Sequence, residues 1–489
     1  MSTAEDDALL YERLAAELAE SIAKGALRPG DRLPSVRLLS SQRHVSVSTV
    51  LQALVLLESQ GLIEVRPRSG HYVRPRRSLE LAEPRAALRA TSPARVQVGS
   101  GIAALVSSMR DPQVVPLGSA SLSPDLLPLA TLNRMLAQGA REIRHAGGNY
   151  DGPDGLLTLR RQLARRSISW GAPLSEDDFI VTVGATEALN LCLRAVSKPG
   201  DTVIVESPTY FGLLQLIEEL SLKAIEVPTS PRTGIELDAL EQVLKERPDA
   251  KAVLAMPTVS NPLGSVMPDE NKQALVELLA RHDVPLIEDD AYGELVFESP
   301  RPRPARAWDH KGRVLLCGSI SKTLAPGYRI GWVAPGIYRE RVERLKFSST
   351  LATPTLTQMA VAEFFASGGY DRHLRRLRGT LQHQTQRMRE AIAEHFPEGT
   401  RVSDPQGGFV LWVELPQGCD AYELQARALE KRIAIAPGPI FSVRRRFEAC
   451  LRITCGLPWT AELAQAVQTI GDLAHQQLAR RRGFRARAV

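Results

Sequence analysis

The sequence predicts a chain of two unequal parts: a small helical module with a β-hairpin, then a large α/β domain with a mainly parallel sheet. Three observations lead there. At 489 residues the chain is too long for a single core, so more than one domain is expected. From residue 112 to 480, apolar runs of strand length alternate with amphipathic helical stretches. The first 75 residues break that pattern, with three short helices followed by two strands around a turn. The predicted boundaries are 1–75 for the module, 76–111 for a linker, 112–480 for the α/β domain and 481–489 for a basic tail.

Composition narrows the classes of function. Hydrophobic residues make up 44% of the chain, enough for a substantial interior. A net charge of +6 and a pI near 9.1 permit nucleic-acid binding without requiring it. The five cysteines, Cys192, Cys317, Cys419, Cys450 and Cys455, are an odd number without CxxC spacing. That is a reduced pattern with neither a disulfide framework nor a zinc site, so no metal is expected. The stretch Met1–Asp7 is acidic where a secretory signal would be basic and then apolar, and no apolar run of about 20 residues follows. A cytoplasmic protein with no membrane partner is expected.

In the module, Leu10, Leu14, Leu18 and Ile22 recur every four positions, with Leu9 and Ala15 widening the stripe of an amphipathic helix. Gly25 and Pro29-Gly30-Asp31 end it. Ser35 caps a short helix through Leu39, and Ser46 caps another from Val47 to about Ser59, stopped by Gly61. Leu62–Val65 and His71–Val73, separated by Pro67-Arg68-Ser69-Gly70, read as the hairpin.

From Arg74 to Asp111 the chain carries Pro75, Pro84 and Pro93 among scattered arginines, alanines and serines. Leu79–Ala90 could hold a turn or two of helix, but no core face emerges, so the segment reads as a linker.

The strand-like runs beyond it are Phe179–Val183, Thr202–Val205, Ala252–Met256, Pro285–Ile287, Val314–Cys317 and Ile330–Val333. Helices such as Glu187–Val196 and Asp269–Arg281 fill the gaps. Unusual residues fall at the strand ends, where sites in such folds cluster. Gly184-Ala185-Thr186 lies between a strand and a helix, so free N–H groups and the helix dipole make an anion site there. Glu288-Asp289-Asp290 ends a buried run and wants a cation. Lys322 follows another and needs a counter-charge or a covalent partner.

Ser319-x-x-Lys322, with Arg329 seven residues on, resembles the lysine segment of fold-type I enzymes that use pyridoxal 5'-phosphate (PLP), the aminotransferase superfamily. The resemblance implies that Lys322 is the catalytic residue and bonds the cofactor aldehyde, with Ala185, Thr186, Ser319, Ser321 and Arg329 around the phosphate. In Glu206–Tyr210, Tyr210 would lie against the pyridine ring. In Pro257–Gly264, Asn261 would meet the phenolic oxygen, as would Tyr292. Asp289, with Asp290 as the alternative, would face the pyridine nitrogen. Cys450–Thr454 resembles the strand whose arginine, here Arg452, grips a substrate carboxylate beside Asn261. Asn149–Leu156 resembles the segment whose tyrosine, here Tyr150, reaches the phosphate of a neighbouring subunit, which implies a homodimer.

The module in turn resembles the GntR-type winged helix, through Pro29–Arg37, Val45–Val50 and Gln60–Ile63. That places the third helix in the major groove and the wing on the backbone or minor groove. Ser35, Arg37, Ser46, Ser48, Thr49 and Gln52 would then contact DNA, with Arg66, Arg68 and His71 on the wing. Val47 departs from the family, which usually has an arginine there. The alternative is that Arg66, Arg68, Arg74, Arg76 and Arg77 form a solvated basic face.

The two halves together resemble the MocR subgroup of bacterial transcriptional regulators. This implies a PLP-dependent regulator that binds double-stranded DNA at paired half-sites and senses an amine, an amino acid or a B6-type effector. It also implies a homodimer, in a head-to-tail arrangement. The alternative is a working class I/II aminotransferase with an appended N-terminal domain; slow or half transamination is the most expected of a regulator. Gly212, two residues after Tyr210, offers no second charge to a ligand. The tail, from Arg480 to Arg487, is expected to be solvated.

Overall fold

The structure is a computed structural model and describes residues 10–24, 26–59, 61–66, 69–74, 81–86, 92–98, 102, 105–107, 111–143 and 150–487. The chain divides into two compact units, residues 1–80 with 379–394, and residues 81–378 with 395–489.

The first unit holds α1 (Leu10–Ala23), α2 (Val36–Arg43), α3 (Val47–Ser59), β1 (Ile63–Arg66) and β2 (Gly70–Val73). Leu14 and Leu18 of α1 enter one core with Val50, Leu54 and Leu57 of α3 and Val73 of β2. Ser35 caps α2 by accepting the Leu38 N–H at 3.2 Å. This helix runs four residues past the expected Leu39, because the chain turns only at His44, whose left-handed backbone (φ 53°) ends it.

The second unit is built on β3 (Ala94–Arg95), β4 (Ile180–Thr182), β5 (Thr202–Ser207), β6 (Lys223–Ser230), β7 (Gly234–Ile235), β8 (Val253–Ala255), β9 (Leu286–Asp289), β10 (Val314–Ser319) and β11 (Gly331–Ala334). Their order is β3-β6-β5-β8-β9-β10-β11-β4, with β7 beside β6. The pairings from β6 through β10 are parallel, whereas β3, β7 and β11 run against their neighbours. The central strands are buried along their length, as parallel strands with helices on both faces must be. Among those helices are α4 (Ala185–Val196), α5 (Phe211–Glu219) and α6 (Asp269–His282). A smaller antiparallel sheet, ordered β12 (Arg401–Val402), β13 (Val410–Glu414), β15 (Cys450–Thr454), β14 (Ala436–Pro437), follows in the C-terminal part.

One reading of the sequence is corrected here. Part of the stretch read as the 76–111 linker belongs to the large unit: β3 pairs with the edge strand β6, and Val96, Val98, Ile102 and Leu105 are buried in its core. Their spacing changes from two to four to three within ten residues, too short a run of any one period to signal an element. Residues 81–86 carry no helix, and the rest of the expected Leu79–Ala90 turn lies outside the described residues. Residues 481–487 of the expected basic tail continue α7 (Ala461–Arg487).

All five cysteines are buried and unbridged, with Cys192 of α4 and Cys317 of β10 lying Sγ to Sγ at 3.6 Å. Among the described residues, no helix is long and apolar enough to cross a membrane, and no cluster of His, Cys, Asp and Glu could hold a metal ion.

Candidate functional site

The register of the large sheet brings the sequence-separated residues together. Cys317 pairs with Asp289 across β10 and β9, while Ser319 pairs with Gly331, which in turn pairs with Thr182 of β4. The start of α4 therefore sits over the end of β10. Contact there is close: a Cβ on Gly331 would fall 2.5 Å from the Gly184 carbonyl carbon.

Gly184 precedes α4 at φ 82°, ψ 172°, a region open essentially to glycine alone. The turn aims the first N–H groups of α4, which have no partner within the helix, at one point. The exposed Arg329 reaches the same place, its Nη2 donating to Val183 O at 3.0 Å. Ser319 Oγ lies 2.8 Å from Ser321 Oγ and 3.1 Å from Ile330 O, and Ser321 N–H donates to Ser319 Oγ at 3.0 Å. Ala185 is half-buried and Thr186 exposed at this helix start. The result is an anion cradle of backbone donors, hydroxyls and one guanidinium.

Beside the cradle, the half-buried Lys322 donates from Nζ to Ala120 O at 2.7 Å, and its amine lies 5.6 Å from the centre of the Tyr292 ring. Burial of the amine and the positive charge of Arg452 outweigh the pull of Asp289 and lower its pKa to about 8. Tyr370 Oη and His373 Nε2 hold the next residue, reaching Thr323 Oγ1 at 3.0 Å and Thr323 O at 2.7 Å.

Two carboxylates end strands under the site. Asp289, 4% exposed, accepts the Ala291 N–H at 3.1 Å, and burial raises its pKa to about 6. Glu206 accepts the Met256 N–H at 2.8 Å, leaves Oε1 without a partner among the described residues, and is raised by burial to about 7. Asp290 instead pairs with Arg301, which separates the two neighbouring aspartates by role. Behind them Glu294 gathers Arg166 at 2.8 Å, Trp170 Nε1 at 2.9 Å and Arg378 Nη2 at 3.2 Å. Burial alone would raise its pKa, but Arg301 and Arg166 hold it near 2.

On the other side, Arg452 is fully buried in the middle of the smaller sheet, its guanidinium carbon 5.3 Å from the Phe211 ring centre and 5.0 Å from that of Phe441. It donates to Asn261 Oδ1 at 3.1 Å and Gly118 O at 2.7 Å, while Nε has no partner among the described residues. Burial lowers its pKa. Asn261 Nδ2 lies 3.5 Å from the hydroxyl of buried Tyr292. Tyr210 is half-buried at the start of α5, its ring 4.9 Å from that of Phe211, and burial raises its pKa. A Cβ on Gly212 would fall 2.5 Å from the Tyr210 ring, so that glycine lets the ring lie close to its own helix.

One expected member stands apart. Tyr150 is 89% exposed, unlike the buried Asn261, Asp289, Tyr292 and Arg452. Sequence reasoning missed Glu206, although it ends a buried strand as Asp289 does, and that signal could have found it. It also missed the carbonyls of Gly118 and Ala120, which no side chain announces.

In the module, Ser46 Oγ accepts the Thr49 N–H at 3.1 Å and lies 2.7 Å from Ser48 Oγ, so Ser35 and Ser46 are engaged with helix starts. Arg37, Ser48 and Gln52 are exposed and Thr49 half-buried. Arg66 sits over the Tyr72 ring at 4.3 Å and pairs with Glu64 at 2.8 Å, which draws it back along the wing. His71 is half-buried, and Arg68 lies outside the described residues.

Comparison with known proteins places this geometry in a family. Residues 114–470 match aminotransferase class I and II, and residues 10–73 match the bacterial regulatory proteins of the gntR family. The uncharacterized HTH-type transcriptional regulator YdcR of Escherichia coli is 42% identical over 469 residues, 96% of this chain and 99% of that one. The multiple substrate aminotransferase of Thermococcus profundus superposes with a TM-score of 0.72 at 28% identity, covering 78% of this chain and 95% of that one. LysN, the alpha-aminoadipate aminotransferase of Thermus thermophilus, complexed with N-(5'-phosphopyridoxyl)-L-leucine, gives 0.71 at 28%, over 78% and 98%. The chain belongs to the HTH-type transcriptional regulators that join a GntR domain to a class I and II aminotransferase domain, the MocR architecture.

That fold family uses PLP, and the residues present fit it. The cradle suits a phosphate, Lys322 an aldehyde, buried Asp289 a ring nitrogen, and Asn261 with Tyr292 a phenolic oxygen.

Proposed function

We propose that this regulator responds to an amine or amino acid that enters the site around Lys322 and Arg452, and that the state of this site biases which DNA it holds. The observation that carries the reading is the fully buried Arg452 beside Asn261, a carboxylate grip within the cofactor constellation of a chain that also carries a GntR module. PLP, when bound, supplies a sink for electrons released at the α-carbon of an amine. The chain supplies the rest: α4 and Arg329 anchor the phosphate, Arg452 orients the carboxylate, and Lys322 holds or yields a proton near neutrality. An effector can shift DNA binding only by binding two arrangements of the chain unequally.

The exposed Tyr150 supports presentation to a second copy, and a homodimer, head to tail, would offer two winged helices to paired half-sites. Gly212 adds no charge to the ligand side, which leaves a simple amino acid, another amine or a B6 compound as effector. The protein would work in the cytoplasm.

The test is a pull-down of genomic fragments with PLP-loaded protein, cofactor-stripped protein and Lys322→Ala. Fragments sharing paired half-sites, with strength altered by the cofactor or by the variant, are the expected result. Identical enrichment by all three would end the cofactor-linked reading. A second reading, a working aminotransferase, is favoured by the joint presence of Lys322, Asp289, Asn261 and Arg452; sustained turnover without selective DNA binding would establish it.

A further inference from the structure

The outward face of α3 is apolar. Val47, Leu51 and Val55 are 48%, 46% and 63% exposed, and their spacing of four lays them in one stripe along the helix. The opposite face, Val50, Ala53, Leu54 and Leu57, is already buried in the module's own core. The stripe is therefore surplus to folding. Two polar side chains, Ser48 and Gln52, share the exposed face, and Glu58, half-buried near the far end, is the one charged residue of the helix.

The flanks say what this face meets. Arg37 on α2 is exposed and has no ion pair among the described residues. Ser46, Ser48 and Thr49 gather hydroxyls at the start of α3. An apolar ridge framed by an unpaired arginine and by groups able to bond phosphate suits the floor of a DNA major groove more than a dry protein interface.

We infer that α3 reads A·T base pairs, with Val47, Leu51 and Val55 packing against thymine methyl groups and Gln52 addressing an adenine. The inference rests on the DNA-binding reading of the module and adds the base class it selects. In the major groove, guanine is met by arginine or lysine, and α3 has neither. Thymine alone presents a methyl group there, and adenine presents the donor and acceptor pair that an amide matches. Every exposed side chain from Val47 to Val55 thus favours A·T or is neutral.

The experiment selects bound duplexes from a random pool with the full-length protein, then resynthesises the winners with deoxyuridine in place of thymine. That change removes the methyl and keeps the pairing edge. Expected are winners with thymines in each half-site, a loss of about fourfold in affinity per contacted methyl, and Leu51→Ser protein that has lost this discrimination at one position. Circular dichroism of Leu51→Ser, at an exposed position, checks that the fold is retained. Equal affinity for thymine and deoxyuridine duplexes, with sequence selectivity intact, overturns the inference and leaves the regulator reading standing. Absence of selectivity in any arm overturns both. A Leu51→Ser protein that sediments as a smaller species and binds DNA as before assigns the stripe to contact between copies, and overturns the inference as well.

Discussion

Arg452 Nη1 donates to Asn261 Oδ1 at 3.1 Å, and this contact fixes which way the Asn261 amide faces. A guanidinium can only donate, so the amide oxygen must face it and the amide nitrogen must face Tyr292, 3.5 Å away. Under the proposed function, the end that would grip a carboxylate and the side that would meet the cofactor's phenolic oxygen are joined through one side chain. Replacing Arg452 by Gln should therefore act chiefly at the carboxylate end. Binding of an L-amino acid, followed by spectral titration of the PLP-loaded protein, should weaken on the order of 30-fold or more. An amine without a carboxylate should bind within a few-fold of the parent. Equal losses for both ligands would contradict the assignment of Arg452.

Attachment of the cofactor should follow the amine of Lys322. Its pKa of about 8 means the uncharged, nucleophilic form predominates above that pH and falls about tenfold for each unit below. Cofactor-stripped protein mixed with PLP should develop its visible absorbance at a rate that climbs from pH 6 and levels off above pH 8. Arg452 is one cause of the lowered value, so Arg452→Gln should move the midpoint upward. A midpoint unmoved by that change would show the two charges to be uncoupled.

Gly184→Ala tests the cradle. The new residue would have to hold φ 82° and bring a Cβ to 2.4 Å from Arg329 Nη2. A cost of about 1–3 kcal/mol is expected, together with faster loss of PLP on dialysis. Arg329→Ala should speed release without that loss of stability, so thermal unfolding of the two variants separates strain from lost charge.

Glu294 predicts acid behaviour. Its folded pKa near 2 lies below the ordinary 4.5, so its contribution to stability is complete above pH 4.5 and disappears as pH falls toward 2. Glu294→Gln should lower stability at pH 7 by about 3–5 kcal/mol, because Arg166 and Arg301 lose a buried partner. It should also flatten the fall in unfolding temperature between pH 4.5 and 2. A parallel shift of the whole profile would argue against the assigned charge.

The residues whose proposed roles could be read in advance are those whose chemistry is local in sequence. Lys322 after an apolar strand, Asp289 with Tyr292 three residues on, and the glycine turn before α4 each carry their signal within a few positions. Arg452 needed the resemblance, since an arginine inside Cys450–Thr454 reads equally as a surface residue until β13 and β14 flank it. What stayed hidden is main-chain or collective. Gly118 and Ala120 act through carbonyls, and the burial of Val96, Val98, Ile102 and Leu105 depends on a sheet assembled from strands more than a hundred positions away. The stripe on α3 was visible only as Val47, because exposure of Leu51 and Val55 is a property of the folded module.

The burial of all five cysteines leaves the native surface without a thiol. A maleimide dye should pass the folded protein by, so a cysteine introduced at the exposed Tyr150 would be labelled alone. One fluorophore at that position, in an otherwise unaltered chain, would report by its emission whether two copies assemble as amine and DNA are added.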